Sequence, residues 1–171
     1  MTGFIQFVRN GEKSGLRNFI NENGIILNAF TKYYAIPGLR LGYAVFGDEL
    51  KAEKVRSTGQ FWSVSSAAQD AGCAALDEKE HYKDTVGYVE NERTYLIDNL
   101  SNIGIKAFSS DANFILIRSC VDLDKKMLQE KILIRNCKDY RGLGEGYFRI
   151  AVRTHKENIL LINALRRCLN G

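Results

Sequence analysis

The stretch Asn28-Ala-Phe-Thr-Lys-Tyr-Tyr-Ala-Ile-Pro-Gly-Leu-Arg-Leu-Gly-Tyr43 decides how the rest of this chain is read. It sets one lysine and one arginine eight residues apart around a Pro-Gly turn. Ile25-Ile-Leu before it and Leu41-Gly-Tyr-Ala-Val-Phe46 after it are short runs of strand-forming residues. They predict two strands with Lys32 in the irregular segment between them. Loops carried on a rigid sheet are a usual home for chemistry. A lysine at a strand end, flanked by Phe30, Tyr33 and Tyr34, is expected to be partly desolvated, which lowers its pKa and frees the neutral amine to condense with an aldehyde. Arg40 adds a planar fork suited to a phosphate, and Pro37-Gly38 supplies a turn that brings both side chains toward one ligand. On the spacing alone, a surface lysine and arginine around an ordinary turn is the plainer alternative.

Working outward, a length of 171 residues suits one domain or slightly more. Hydrophobic content of 45% with 26% charged residues describes a globular chain able to bury a core. The net charge of +4 is spread without a run of like charges or an arginine-aromatic block, so nucleic-acid binding is not indicated. No apolar segment is long enough to span a bilayer and no basic-then-apolar leader opens the chain, which gives a cytoplasmic expectation. Cys73, Cys120, Cys137 and Cys168 are far apart and lack metal-ligand spacing. With only His81 and His155 beside them, reduced thiols are expected and no metal site.

Helical spacing of Leu16, Phe19 and Ile20 predicts a helix over residues 14–23, ending before Gly24. After the second strand, helices are predicted over Asp48–Arg56 and, from a run of small residues that packs closely, Ser65–Leu76. A long amphipathic pattern from His81 to Leu100 predicts a helix linking two domains, 1–79 and 80–171. Beyond it come predicted strands at Ile105–Phe108, Ala112–Ile117, Ile132–Arg135 and Tyr147–Val152, with helices at Leu123–Lys131 and Lys156–Leu169. That order makes a small α+β domain. Arg141-Gly-Leu-Gly-Glu-Gly146 reads as a loop, because its glycines do not join a strand to a helix as a dinucleotide site requires. Arg135 and Arg149 stand on predicted strands, rigidly aimed; surface pairing with Asp139 and Glu145 is the plain alternative.

Phe30-Thr-Lys-Tyr-Tyr-Ala-Ile-Pro-Gly-Leu-Arg-Leu-Gly42 resembles the cofactor-lysine signature of the class I/II aminotransferases, fold type I, particularly the histidinol-phosphate aminotransferase branch. Ile132-Leu-Ile-Arg-Asn-Cys-Lys-Asp-Tyr-Arg-Gly-Leu with Tyr147-Phe-Arg-Ile-Ala-Val-Arg is similar to the substrate-binding end of the same branch, nearest the threonine-phosphate decarboxylases. Arg153, in a Val-Arg-Thr context where the aminotransferases usually have glycine, favours the decarboxylases. The resemblance runs from Phe4 to Leu169. It implies an α/β chain that is the C-terminal portion of a fold type I enzyme: an incomplete piece of the large cofactor-binding domain followed by the small α+β domain.

The resemblance further implies pyridoxal 5′-phosphate as cofactor, with Lys32 as its Schiff-base lysine and Arg40 on its phosphate. It implies Arg149 on the substrate carboxylate, Arg135 assisting, and Asn113 near the same site. The implied substrate is a phosphorylated amino acid, L-threonine O-3-phosphate, and the implied reaction a decarboxylation in cobalamin side-chain synthesis or, for a histidinol-phosphate-type aminotransferase, a transamination. Two positions depart from the family: Ala29 stands where a phosphate-binding serine is usual, and Met1 where an aspartate pairs with the cofactor ring nitrogen. The upstream phosphate-binding elements are also missing, so the isolated chain is expected to be inactive, and a homodimer or a missing N-terminal half is the expected partner. A non-catalytic remnant acting by association, and an anion-binding module built on Arg40, Arg135, Arg149 and Arg153, are the other readings.

Overall fold

The computed structural model describes residues 4–8, 20–78 and 80–170. Met1 and most of the helix predicted over residues 14–23 lie outside them; Asn21–Gly24 form a turn closed by Gly24 N donating to Asn21 O at 2.8 Å, in which Asn23 N also donates to Asn21 Oδ1. The chain divides into two compact units between Asp84 and Thr85.

In the first unit, a 3-10 turn at Ile5–Phe7 precedes strand β1 (Ile25–Ala29), a single helical turn α1 (Phe30–Tyr33), a second 3-10 turn at Pro37–Leu39 and strand β2 (Gly42–Phe46). The two strands pair antiparallel from Ile25↔Phe46 to Ala29↔Gly42. Both strands are where the apolar runs predict them. Gly42 lies so near the facing strand that an added Cβ would come within 2.9 Å of Asn28 O. Helix α2 (Glu49–Thr58) starts where Asp48 accepts from Lys51 N, and α3 (Ser66–Asp77) where Ser65 accepts from Ala68 N. These side chains satisfy backbone donors that have no partner inside the helix, which fixes each helix start. The buried apolar side chains here include Phe7, Ile26, Phe30, Tyr33 and Ala68. β1 is apolar on both faces but covered on one: Ile26 is buried while Ile25 and Leu27 are 50% and 48% exposed.

The second unit has a denser core. Helix α4 (His81–Asn102) ends at Gly104, whose φ of 74° lets Ile105 N reach back to Leu100 O. Then follow β3 (Lys106–Ala107), β4 (Phe114–Arg118), α5 (Leu123–Gln129), β5 (Arg135–Asn136), β6 (Tyr147–Ala151) and α6 (His155–Asn170). The four strands lie in the order β3-β4-β6-β5, with every neighbour antiparallel. Side chains alternate across a strand, so Ile115, Ile117, Phe148 and Ile150 enter the core while Leu116, Arg118, Tyr147 and Arg149 line the opposite, open face. Val86, Val89, Leu96 and Leu100 of α4, Leu123 and Met127 of α5 and Leu161, Ile162 and Leu165 of α6 complete that core.

The strand predicted at Ile132–Arg135 is displaced: the ladder is confined to Arg135–Asn136. Lys131 takes φ 62° to end α5, Ile132 N bonds back to Met127 O, and Leu133 projects into solvent at 85% exposure. Strand-forming residues are present there, but among the described residues no strand lies alongside to bond them. Arg141–Gly146 is a turn-rich connection as predicted, with Gly142 and Gly146 at φ 85° and 82°. The four cysteines are free, Cys137 and Cys168 buried.

Candidate functional site

Lys32 rides on α1, a helical turn where an irregular segment was predicted. Phe30 and Tyr33 of that turn point inward, 7% and 4% exposed. Phe30 stacks on Tyr34 at 5.2 Å between ring centroids and meets Tyr43 edge-on at 6.0 Å; Tyr33 packs on Phe7 at 5.6 Å. The aromatic side chains therefore clamp the backbone of the turn, each contact worth about 0.5–1.5 kcal/mol beyond area burial. The same orientation corrects the expectation of desolvation, because with the rings turned inward Lys32 is left on the solvent side and is exposed.

Arg40 follows the Pro37–Leu39 turn in a left-handed backbone, φ 54°, and is also exposed. Its Nη1 donates to Pro37 O at 3.1 Å, which ties the guanidinium to its own turn. Phe30 N donates to Leu41 O at 3.1 Å, just beyond the last strand pair, Ala29↔Gly42. Lys32 and Arg40 thus leave the same end of the β1–β2 pair. Leu41 in turn lies against α3, where a Cβ on Gly72 would come within 2.6 Å of Leu41 Cδ2. This is the close approach for which that helix needs small residues. Ala29 precedes α1 in extended conformation and offers no side-chain cap.

In the second unit Arg135 and Arg149 are direct partners across β5 and β6, on the open face of the sheet. Arg149 Cζ stands 5.0 Å from the centroid of Phe114. The ion pairs among the described residues include neither arginine, so the pairing with Asp139 or Glu145 is not seen. Like charges directly opposite in a ladder repel, and among the described residues no carboxylate forms an ion pair with either one. Asn113, just before β4, has its Oδ1 buried without a hydrogen-bond partner among the described residues, while its carbonyl accepts from Val152 N at 2.9 Å. A buried acceptor left unsatisfied costs about 1–3 kcal/mol, so such atoms are uncommon without a role.

Arg153 is engaged elsewhere: it pairs with Glu157 at 2.7 Å, and Thr154 donates to the same carboxylate through Oγ1 at 2.6 Å and N at 3.2 Å. These hydrogen bonds, Arg153 first, pull the Glu157 carboxyl down to about 2. Arg153 is accordingly removed from the set of anion-binding arginines. Sequence reading missed the buried Glu92, which faces His155 and Asn158, and a second pair of cations on the sheet's open face, Lys106 and Arg118. The strand alternation Phe114-Ile-Leu-Ile-Arg118 carried the signal for Arg118, since it shares a face with Phe114 and Leu116.

The family profile described as Aminotransferase class I and II matches residues 4–165. Threonine-phosphate decarboxylase of Salmonella typhimurium is 35% identical over 150 residues, which is 85% of this chain and 41% of that protein. The histidinol-phosphate aminotransferase structure from Clostridium acetobutylicum superposes with a TM-score of 0.87 at 29% identity, covering 98% of this chain and 52% of the other. L-threonine-O-3-phosphate decarboxylase from Porphyromonas gingivalis does so with a TM-score of 0.76 at 29% identity, covering 88% and 48%. The chain spans about half the length of the proteins it matches. Its fold is that of the corresponding part of the fold type I enzymes, whose cofactor is pyridoxal 5′-phosphate. With the lysine turn, the Arg40 turn and the arginine-bearing sheet all inside the matched span, the chain belongs to the class I and II aminotransferase family.

Proposed function

We infer that this chain is the C-terminal part of a pyridoxal-phosphate enzyme of the threonine-phosphate decarboxylase type. The observation that carries the reading is the pairing of Lys32 and Arg40 at one end of the β1–β2 pair, inside the span matched by a decarboxylase. The residues present fit the cofactor. A primary amine on a clamped turn suits its aldehyde. Arg40 gives one donor to Pro37 O, which leaves the rest of its fork for a phosphate.

When bound, the cofactor supplies a conjugated ring able to accept the electron pair of a bond broken at the substrate Cα. Lys32 Nζ would anchor it and afterwards hold and return a proton at Cα. Arg149 would bind the substrate carboxylate with two parallel hydrogen bonds, its plane steadied on Phe114. Arg135, beside it on β5, would add a second positive charge. Asn113 Oδ1, an acceptor without a partner among the described residues, would take a donor from the substrate. By holding the carboxylate, Arg149 would orient the substrate and so bias which bond at Cα is broken, the choice that separates decarboxylation from transamination.

The domain division proposed at 79/80, the homodimer and the dependence on an N-terminal half belong to the same reading. Exposed apolar surface on β1, and Phe61 and Trp62 at 91% and 98% exposure, support association with further polypeptide. The test is carbon dioxide release from L-threonine O-3-phosphate. The chain by itself should give none above background; co-expressed with the N-terminal half of the Salmonella typhimurium decarboxylase it should give release that Arg149→Gln abolishes. Robust release by the chain alone, or transamination of histidinol phosphate in place of release by the pair, overturns the assignment.

A further inference from the structure

The open face of the four-stranded sheet holds two cation pairs, and the reading above uses only one. Lys106 and Arg118 are partners across β3 and β4, and Arg118 is next opposed by Tyr147 on β6. Opposed Cβ atoms in an antiparallel ladder lie about 5 Å apart, where like charges destabilise the pair. Neither cation takes part in an ion pair among the described residues. Both are exposed, yet both are placed: Lys106 Nζ stands 5.1 Å from the centroid of Phe108 and Arg118 Cζ 5.4 Å from that of Tyr147. The two rings are themselves in contact, 5.9 Å between centroids, so the cations share one aromatic platform. Cation–π attraction to these rings opposes the splaying apart by which two surface cations would otherwise avoid each other.

We propose that Lys106 and Arg118 form a second anion subsite, separate from the Arg135/Arg149 pair, for the phosphate group of a small soluble molecule. A phosphate monoester carries about −1.5 to −2 charge near neutral pH and matches two adjacent cations, whereas a carboxylate neutralises one. The guanidinium supplies a bidentate fork and the ammonium a mobile point charge, the combination that suits a tetrahedral oxyanion. Arg149 stands two residues beyond Tyr147 on β6 and pairs with Leu116 and Arg135, so Lys106 and Arg118 share no direct ladder partner with the Arg135/Arg149 pair. The subsite rests on the sheet face alone and is independent of the role given to Lys32.

The test uses the whole chain, nitrogen-15 labelled, titrated with inorganic phosphate and then with glycerol phosphate against chloride at constant ionic strength. The Arg118 Nε–H signal and the amides of Lys106, Arg118 and Tyr147 should shift saturably with both. Arg118→Gln should weaken the response by roughly tenfold or more, and Arg118→Lys, which keeps charge but loses the fork, by less. Arg149→Gln should leave it in place. Shifts that grow linearly without saturating, that survive Arg118→Gln, or that vanish in Arg149→Gln overturn the proposal; an unchanged far-ultraviolet spectrum of each variant secures the comparison.

Discussion

Glu92→Ala should destabilise the second unit by about 2–3 kcal/mol, for reasons that can be followed atom by atom. Glu92 is 8% exposed, and its two oxygens stand 2.9 and 3.1 Å from His155 Nδ1. One of them accepts from Asn158 Nδ2 at 2.8 Å. Asn158, only 1% exposed, passes the link on: Nδ2 also donates to Arg153 O at 2.9 Å, and Oδ1 accepts from Arg153 N at 3.1 Å. One carboxylate on α4 thereby holds the turn between α6 and β6, the strand that carries Arg149. Truncation leaves one Asn158 hydrogen without an acceptor in dry surroundings, at about 1–3 kcal/mol. Losing the His155 contact adds about 0.5–1 kcal/mol at most, because that side chain is 52% exposed and screened by solvent. Removing a desolvated carboxylate returns part of the total. Glu92→Gln keeps the shape and one acceptor for Asn158, so it should cost about 1 kcal/mol. Urea unfolding followed by circular dichroism, with an unchanged denaturant slope, measures both. A loss below about 0.5 kcal/mol for Glu92→Ala, or a larger loss for Glu92→Gln, would refute the reasoning.

The Glu157 carboxyl, held at about 2 by Arg153 and then Thr154, lies below its ordinary 4.5. Its contribution is therefore complete above about pH 4.5 and lost as pH falls toward 2. Urea midpoints measured from pH 5 to pH 2 should fall less steeply for Glu157→Gln than for the unmodified chain. Gly47 closes the β1–β2 pair through N–H to Gly24 O at 3.2 Å, and an added Cβ would overlap the Asn21 carbonyl. Gly47→Ala should cost about 1–3 kcal/mol and speed amide exchange in Ile25–Ala29; unchanged exchange there would contradict the packing described.

Much of this architecture was legible because the elements near the site obey local rules. Helices predicted from Asp48 and Ser65 start where those side chains cap them, and the apolar runs at Ile25–Leu27 and Leu41–Phe46 mark β1 and β2. What escaped depends on neighbours distant in sequence. Lys32 flanked by aromatics suggests burial, but its exposure follows from which way Phe30 and Tyr33 turn, and that is set by Phe7 and Tyr43. Ile132 and Leu133 have strand propensity without a strand to pair with. The Glu92–His155–Asn158 cluster joins positions more than sixty residues apart, and no local pattern announces it. The lysine signature and the C-terminal arginine block were readable as a family resemblance long before their geometry could be known.

Whether Lys32 carries the cofactor can be read by trapping the bond between them. The chain is incubated with pyridoxal 5′-phosphate, reduced with borohydride, digested and mapped by mass spectrometry. The pyridoxyl label should concentrate on the peptide holding Lys32, saturate at one per chain, and disappear in Lys32→Ala. A label spread evenly over the exposed lysines, or total labelling unchanged by Lys32→Ala, would contradict it.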